Sequence, residues 1–144
     1  MQIRRMTLKD VDAVSAIENE SFRFPWSRQA IEDECASTLA TCLVVCDDDN
    51  QVLGYGGYLK VLDEAYITNI AVKPTERNKG YGKAIVKSLI DEAKANGVRA
   101  VTLEVRVSNA NAIELYKQFG FKSVGIRPKF YPDGEDAGIY WLTI

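Results

Sequence analysis

One run constrains this chain more than any other: Asn69-Ile70-Ala71-Val72-Lys73-Pro74-Thr75-Glu76-Arg77-Asn78-Lys79-Gly80-Tyr81-Gly82. It reads as a strand that stops at Pro74, a polar turn, and a glycine-punctuated entry into a helix. In the helix that follows, from Lys83 to Ala93, Ile85, Leu89 and Ala93 share a stripe, with Val86 and Ile90 beside it. A helix N-terminus has unpaired N–H groups and a partial positive charge, which suits an anion. Gly80 and Gly82 carry no side chain, so a phosphate can approach the backbone closely. Arg77, Lys79 and Lys83 bring positive charge to the same place. The pattern predicts a phosphate cradle formed by Arg77, Asn78, Lys79, Gly80, Tyr81, Gly82 and Lys83.

Two common phosphate loops do not fit. A nucleoside-triphosphate loop requires a glycine where Arg77 stands and a Ser or Thr where Ala84 stands. A dinucleotide fingerprint requires a third glycine at the position of Ile85, and it belongs to the first strand–helix unit of a doubly wound sheet, whereas this turn lies at mid-chain. A Gly-x-Gly pair alone is also the sequence of an ordinary tight turn before a helix, so the remaining residues must decide.

The chain has no histidine, so a general base must be Asp, Glu, Cys, Tyr, Lys or a terminal amine. A Ser-His-Asp triad and a His-ligated metal are excluded, and no metal is expected. Net charge is −2, which gives no global basic field for nucleic acid. The cations gather locally: Lys73, Arg77, Lys79, Lys83 and Lys87 stand against Glu76 alone, while Asp47-Asp48-Asp49, Asp63-Glu64 and Asp133 to Asp136 are acidic. That layout suits a polyanion on one side and a cationic substrate on the other, or solvated turns. The three cysteines, Cys35, Cys42 and Cys46, are an odd count without a signal peptide, which points to a reducing compartment. Cys42 and Cys46 read as small buried hydrophobes. No apolar run approaches membrane-spanning length, so a cytoplasmic protein without a membrane partner is expected.

With 144 residues, 47% of them apolar, one domain over residues 1–144 is expected. Ile3 to Met6 opens it as a short strand. Thr7 and Asp10 form a capping pair for a helix with Val11, Val14 and Ile17 on its stripe, running to Ser21. Phe22-Arg23-Phe24-Pro25-Trp26 interrupts it, either as a core plug or as the wall of a groove, and Ser27 caps a second helix from Arg28 to Ala36. Leu39–Cys46 and Gln51–Lys60 form a hairpin whose second strand is punctuated by Gly54, Gly56 and Gly57, signs of bends or close backbone approach. Ala65–Val72 leads into the cradle, and Asn96-Gly97 stops the helix after it. Ala100–Val107 is a strand, Ser108 or Asn109 caps a helix through Phe119, and Phe121–Lys129 and Gly138–Thr143 close the chain. The fold predicted is α/β, of α+β type: a mixed, mostly antiparallel sheet flanked by four helices.

Ala65–Val72 and Ala100–Val107, each followed by a helix, are expected side by side and parallel. Ligands of such units bind beyond the strands' carboxyl ends, where Ile70, Ala71, Val72, the cradle, Arg106, Ser108 and Asn109 converge. Glu104 sits between Leu103 and Val105 in an otherwise apolar strand, where an unpaired charge would cost several kcal/mol if buried. Either it is ion-paired with Arg106, of the same parity, or it is a carboxylate tuned as a general base. Tyr116 lies beside a stripe of Ala112, Leu115 and Phe119, so its ring can be buried while its hydroxyl reaches the strand ends.

Leu103-Glu104-Val105-Arg106-x-Ser108-Asn109-x-x-Ala112-x-x-Leu115-Tyr116, ending Phe119-Gly120-Phe121, resembles the second half of the GNAT acetyltransferase fold, as Arg77-x-x-Gly80-x-Gly82 resembles its CoA pyrophosphate loop. Pro25-Trp26-Ser27, Asn69-Ile70-Ala71-Val72 and Arg127-x-x-Phe130-Tyr131-Pro132 with Glu135-Asp136-Ala137 are similar, more narrowly, to the bacterial enzymes that acetylate the N-terminal alanine of a small-subunit ribosomal protein. The resemblance covers almost the whole chain. It implies acetyl-CoA as cosubstrate, bound by Ile70, Ala71, Val72, the loop from Arg77 to Lys83, and Asn109. It further implies Glu104 as proton acceptor, Tyr116 as proton donor, and Trp26 and Tyr131 on the peptide side. Phe130, where a second tyrosine is common, and Tyr140-Trp141, near an end that usually carries a methionine, depart from the pattern on that side.

The chemistry is consistent with this resemblance. Acetyl transfer needs a neutral amine; an α-amine is roughly a tenth neutral at pH 7, and a lysine below about a thousandth. A carboxylate can take the first proton without histidine, and backbone N–H groups near Ile70 to Val72 can stabilise an oxyanion. The acidic loop from Asp133 to Asp136 would suit a basic ribosomal peptide. The alternatives are another amine acceptor, a protein lysine or a small molecule, or a CoA-binding module without catalysis.

Overall fold

The computed structural model describes Met1–Ile144 and builds one sheet through the whole chain. Its strands are β1 (Gln2–Arg5), β2 (Ala40–Cys46), β3 (Val52–Val61), β4 (Glu64–Val72), β5 (Ala100–Arg106), β6 (Lys122–Arg127) and β7 (Ala137–Thr143). The helices are α1 (Val11–Ser21), α2 (Arg28–Ala36), α3 (Tyr81–Ala95) and α4 (Ala110–Gln118). Strand order is β1-β2-β3-β4-β5-β7-β6, and only β4 and β5 pair in parallel. This is the mixed, mostly antiparallel sheet with four helices that the sequence predicts, with element ends moved by a residue or two. The turn chemistry sets those ends: Ser27 Oγ accepts the Ala30 N–H at 3.1 Å, and Asn109 rather than Ser108 caps α4, accepting from Ala112 at 3.2 Å.

Each face of the sheet has its own core. On one, Ile85, Val86, Leu89, Ile90 and Ala93 of α3 pack with Tyr116 of α4 on Leu43, Val45, Ile67, Leu103 and Val105. On the other, Val11, Val14 and Ile17 of α1 and Ile31 of α2 pack on Val44, Cys46, Tyr55 and Ala71. Gly56 explains how α3 lies so close to β3: a Cβ there would meet Ile85 Cγ2 at 2.6 Å. Cys46 is fully buried and Cys42 half-buried, with burial pushing the Cys42 thiol up to about 12.

A bulge decides the geometry of the site. Gly57 pairs with Asn69 but Tyr58 pairs with Ile67, so Thr68 is an extra residue on β4. It places Thr68 and Asn69 on the same side, toward α1 and α2, and restores Ile70 and Val72 to the α3 side. Pairing between β4 and β5 stops just before it, at Tyr66 and Thr102, so the two strands part. The Lys73 N–H donates to Leu53 O at 2.7 Å, which fixes the phase of the β3–β4 ladder. Hydrogen-bonded pairs alternate with non-bonded ones, so Ala71 bonds Tyr55 while Ile70 and Val72 turn their N–H and C=O groups into the gap.

At the other end of the sheet, Arg4 makes a two-pronged pair with Asp10 at 2.8 and 2.9 Å, and Asp10 also accepts the Thr7 N–H at 2.8 Å. The Arg4 guanidinium holds the Asp10 carboxyl below its usual range. A depressed carboxylate stabilises the fold above its unfolded pKa, near 4, and that stability is lost as pH falls through the folded value. Asp10→Ala is expected to cost about 2–3 kcal/mol at pH 7 and less below pH 4; urea melts at both pH values check this.

Candidate active site

The turn before α3 presents backbone, not side chains. Asn78 and Gly80 both have positive φ, 63° and 87°, and Gly80 caps α3 without a side-chain bond. Ala84 N–H closes the first turn on Gly80 O at 3.0 Å, and the N–H groups from Asn78 to Lys83 find no acceptor within the protein. Gly80 is required by its conformation, since an added Cβ would meet nothing. Gly82 has no such reason: its φ is not positive, and a Cβ would only touch Leu115 at 3.7 Å and Val72 at 3.8 Å. Its missing side chain leaves space outside the helix that the fold does not use.

The charge at this turn is smaller than the sequence suggests. Lys79 pairs with Glu76 at 2.9 Å. Arg77 turns back, its Nε on Val72 O and Nη2 on Ser21 Oγ, both at 3.2 Å, so it braces the end of β4 against α1. Lys83 is exposed and unpaired, and Tyr81 is half-buried against the α3-side core. Six free N–H groups, the helix dipole and Lys83 still make a cradle for a diphosphate. In the gap that leads from it, the Ile70 N–H is taken by its neighbour's side chain, Asn69 Oδ1, at 3.1 Å. Val72 keeps an inward N–H with no acceptor, while its C=O holds Arg77. The turn and the gap it opens on are thus a candidate site for an acyl-CoA.

Glu104 lies on β5 on the side of the sheet facing α1 and α2, opposite to Leu103 and Val105. Its side chain is 9% exposed, and Oε2 is buried without a hydrogen-bond partner. The cation beside it is Arg127, whose Nε lies 3.1 Å from Oε1, and not Arg106 as its parity suggests. Arg106 is claimed by Asp133 at 2.9 Å, by Glu135 at 2.7 Å, and by the Tyr131 ring, 4.1 Å below its guanidinium. The acidic loop is partly neutralised from within: Asp133 and Glu135 hold Arg106, Glu135 accepts the Ser108 N–H at 3.0 Å, and Asp136 accepts the Lys129 N–H at 2.8 Å. It braces Tyr131 and keeps a net negative charge smaller than its composition suggests.

Tyr66 and Tyr131 flank the carboxylate, whereas Tyr116 sits in the core on the other face of the sheet. Burial and the adjacent Glu104 push the Tyr66 hydroxyl up, and burial, with Tyr131 adding to it, pushes Tyr116 up to about 12. Tyr116 is the one fully buried residue of α4, whereas Ala112, Leu115 and Phe119 are half-buried; its ring packs edge-on to Phe121 at 5.7 Å. Its hydroxyl bonds nothing in the protein, so it holds its proton and is free to donate. Asn109 spends its side-chain oxygen on the α4 cap.

Sequence reasoning missed a buried network behind Asn69. Glu18 of α1, 1% exposed, takes Tyr55 OH at 2.7 Å and Asn69 Nδ2 at 2.5 Å, and burial pushes its carboxyl up. The signal was a Glu one position beyond Ile17, close to the apolar stripe. The network fixes the Asn69 side chain that engages Ile70. Trp26 is half-buried, packed against the α1–α2 core, and donates its N–H to Glu18 at 3.4 Å. It also lines a cavity of about 20 Å³ with Glu18, Glu34, Tyr55, Thr68 and Asn69, so it is both plug and wall.

The family model described as Acetyltransferase (GNAT) family matches residues 11–121. The chain belongs to the GNAT acetyltransferases. A Bacillus subtilis (strain 168) relative, named as a candidate [ribosomal protein bS18]-alanine N-acetyltransferase, is 41% identical over 99% of this chain and 95% of its own length. The Escherichia coli (strain K12) [ribosomal protein bS18]-alanine N-acetyltransferase is 37% identical over 99% of this chain and 97% of its own. The crystal structure of the ribosomal-protein-S18-alanine N-acetyltransferase from Escherichia coli superposes with a TM-score of 0.92 at 36% identity, covering 99% of this chain and 93% of that one. This GNAT protein is thus an acetyl-CoA-dependent N-acetyltransferase, as its motifs imply.

Proposed function

We propose that residues 1–144 form one cytoplasmic acetyltransferase domain that acetylates the N-terminal amine, alanine first, of a small-subunit ribosomal protein. The observation that carries the reading is Glu104 Oε2, a buried carboxylate oxygen without a donor, on the sheet face opposite the α3-side core and beside the gap between β4 and β5. Similarity to bS18-alanine N-acetyltransferases suggests the acceptor.

Acetyl-CoA supplies an acetyl group already activated as a thioester. Ile70, Ala71 and Val72 line its path, with the Val72 N–H as the free donor toward a carbonyl oxygen. Arg77 braces that strand; Asn78, Lys79, Gly80, Tyr81, Gly82 and Lys83 hold the diphosphate, and Asn109 caps the helix beside it. Trp26 and Tyr131 form the two sides of the acceptor groove. Glu104 accepts the proton that the amine must lose, and Tyr116, protonated at neutral pH, donates toward the leaving sulfur. An α-amine suits a single carboxylate base because roughly a tenth of it is already neutral at pH 7.

The test is intact-mass detection of products from acetyl-CoA and a peptide library varied at its first two residues. Acetylation confined to the α-amine of alanine-first peptides is the expected result. Acetylated lysine side chains or polyamines, with untouched N-termini, would overturn the acceptor assignment.

A further inference from the structure

Arg127 is an odd companion for a general base. It stands at the end of β6, an exposed edge strand, and reaches Glu104 across β7, where Ala137 is its partner and also the partner of Arg106. Two arginines therefore flank one small buried residue, and their fates differ. Arg106 is fixed by two carboxylates and an aromatic ring. Arg127 is 57% exposed, has no other partner, and lies within ion-pair distance of Glu104 without making a hydrogen bond to it.

The other polar groups around Glu104 leave Arg127 alone in countering its charge. Tyr66 from β4 and Tyr131 from the β6–β7 loop are neutral phenols. Arg106 on β5 is offset by Asp133 and Glu135, and Arg23 from the α1–α2 linker lies 3.9 Å from Asp133. The residue opposite Glu104 on β7 is Ile139, which is apolar.

We propose that Arg127 is a placeholder cation, a positioning residue that acts through Glu104. It balances the carboxylate while the acceptor groove is empty, and the ammonium of an incoming N-terminus displaces it into solvent. This inference rests on the proposed function. The displaced arginine gives up a single exposed contact, so the exchange costs little. The ammonium gains both carboxylate oxygens, including the buried Oε2 that Arg127 does not reach.

The experiment compares the parent with Arg127→Gln, Arg127→Lys and a neighbouring-charge control, Lys129→Gln. Peptide affinity is read by calorimetry without acetyl-CoA; KM and kcat are read with it. Removing the placeholder frees Glu104, so Arg127→Gln should bind an alanine-first peptide about three- to fivefold tighter, the size of one exposed ion pair. KM for the peptide should fall by the same factor while kcat stays within about twofold, because the arginine has already left the carboxylate when the chemistry begins. Arg127→Lys should restore the parent affinity and KM, and Lys129→Gln should change neither. Weaker peptide binding in Arg127→Gln, an unchanged KM, or the same shifts in Lys129→Gln would each overturn the placeholder. A parent that neither binds nor acetylates any N-terminal peptide would overturn the acceptor reading, and the placeholder with it.

Discussion

Glu104→Gln is expected to lower kcat by about a thousandfold, within the usual range for loss of a positioned general base, while affinity for CoA stays within about twofold. The amide keeps the shape of the side chain and one acceptor but cannot take a proton. The fold should not suffer. Oε2 is buried and unpartnered, Arg127 is exposed, and replacing a poorly compensated buried charge by a neutral isostere is often neutral or stabilising. The proposed CoA cradle lies on the turn after β4 and owes nothing to Glu104. Residual turnover in the mutant should rise with pH until the substrate amine is deprotonated, near pH 8, because only spontaneously neutral amine can then react. Single-turnover rates across pH 6–9, with CoA affinity by calorimetry, measure both effects. Equal turnover in mutant and parent would remove Glu104 from the mechanism.

The fold and the candidate site were legible because both rest on local pattern. Pro74, the two glycines and the stripe of Ile85, Leu89 and Ala93 specify strand, turn and helix within about twenty-five residues. Glu104 stood out because a charge between Leu103 and Val105 demands a reason. Its partner was not legible. Parity within β5 points to Arg106, whereas Arg127 comes from β6, two strands away, and only the order β5-β7-β6 brings it near. Tyr66 escaped for a similar reason, since its nearness to Glu104 depends on the pairing of Tyr66 with Thr102. The Thr68 bulge was equally hidden. A strand read by strict alternation turns Asn69 toward α3, and one inserted residue turns it to Glu18. The charge of the turn and of the acidic loop was overestimated, because composition counts charges while the folded chain pairs Lys79 with Glu76 and Arg106 with Asp133 and Glu135.

Gly82→Asp separates the two things this turn does. As an element of the fold, the substitution is benign. Gly82 lies in the first turn of α3, its φ is not positive, and a new Cβ meets only Leu115 and Val72 at ordinary contact distance. An aspartate there also faces the positive end of the helix dipole, worth roughly 0.3–1 kcal/mol in its favour, and a helix former replaces glycine. Thermal stability should therefore hold or rise slightly. As part of a diphosphate site, the same residue is ruinous. Its carboxylate occupies the space that Gly82 leaves open, competes for the free N–H groups of the turn, and sets a negative charge against phosphate; like-charge contact of this kind costs several kcal/mol. CoA affinity should fall about a hundredfold or more, with KM for acetyl-CoA rising in step, while turnover at saturating acetyl-CoA changes far less because Glu104 and Tyr116 are untouched. Gly82→Ala, without the charge, should fall between the two. If Gly82→Asp binds CoA as the parent does, the diphosphate lies elsewhere and the turn before α3 is only a turn.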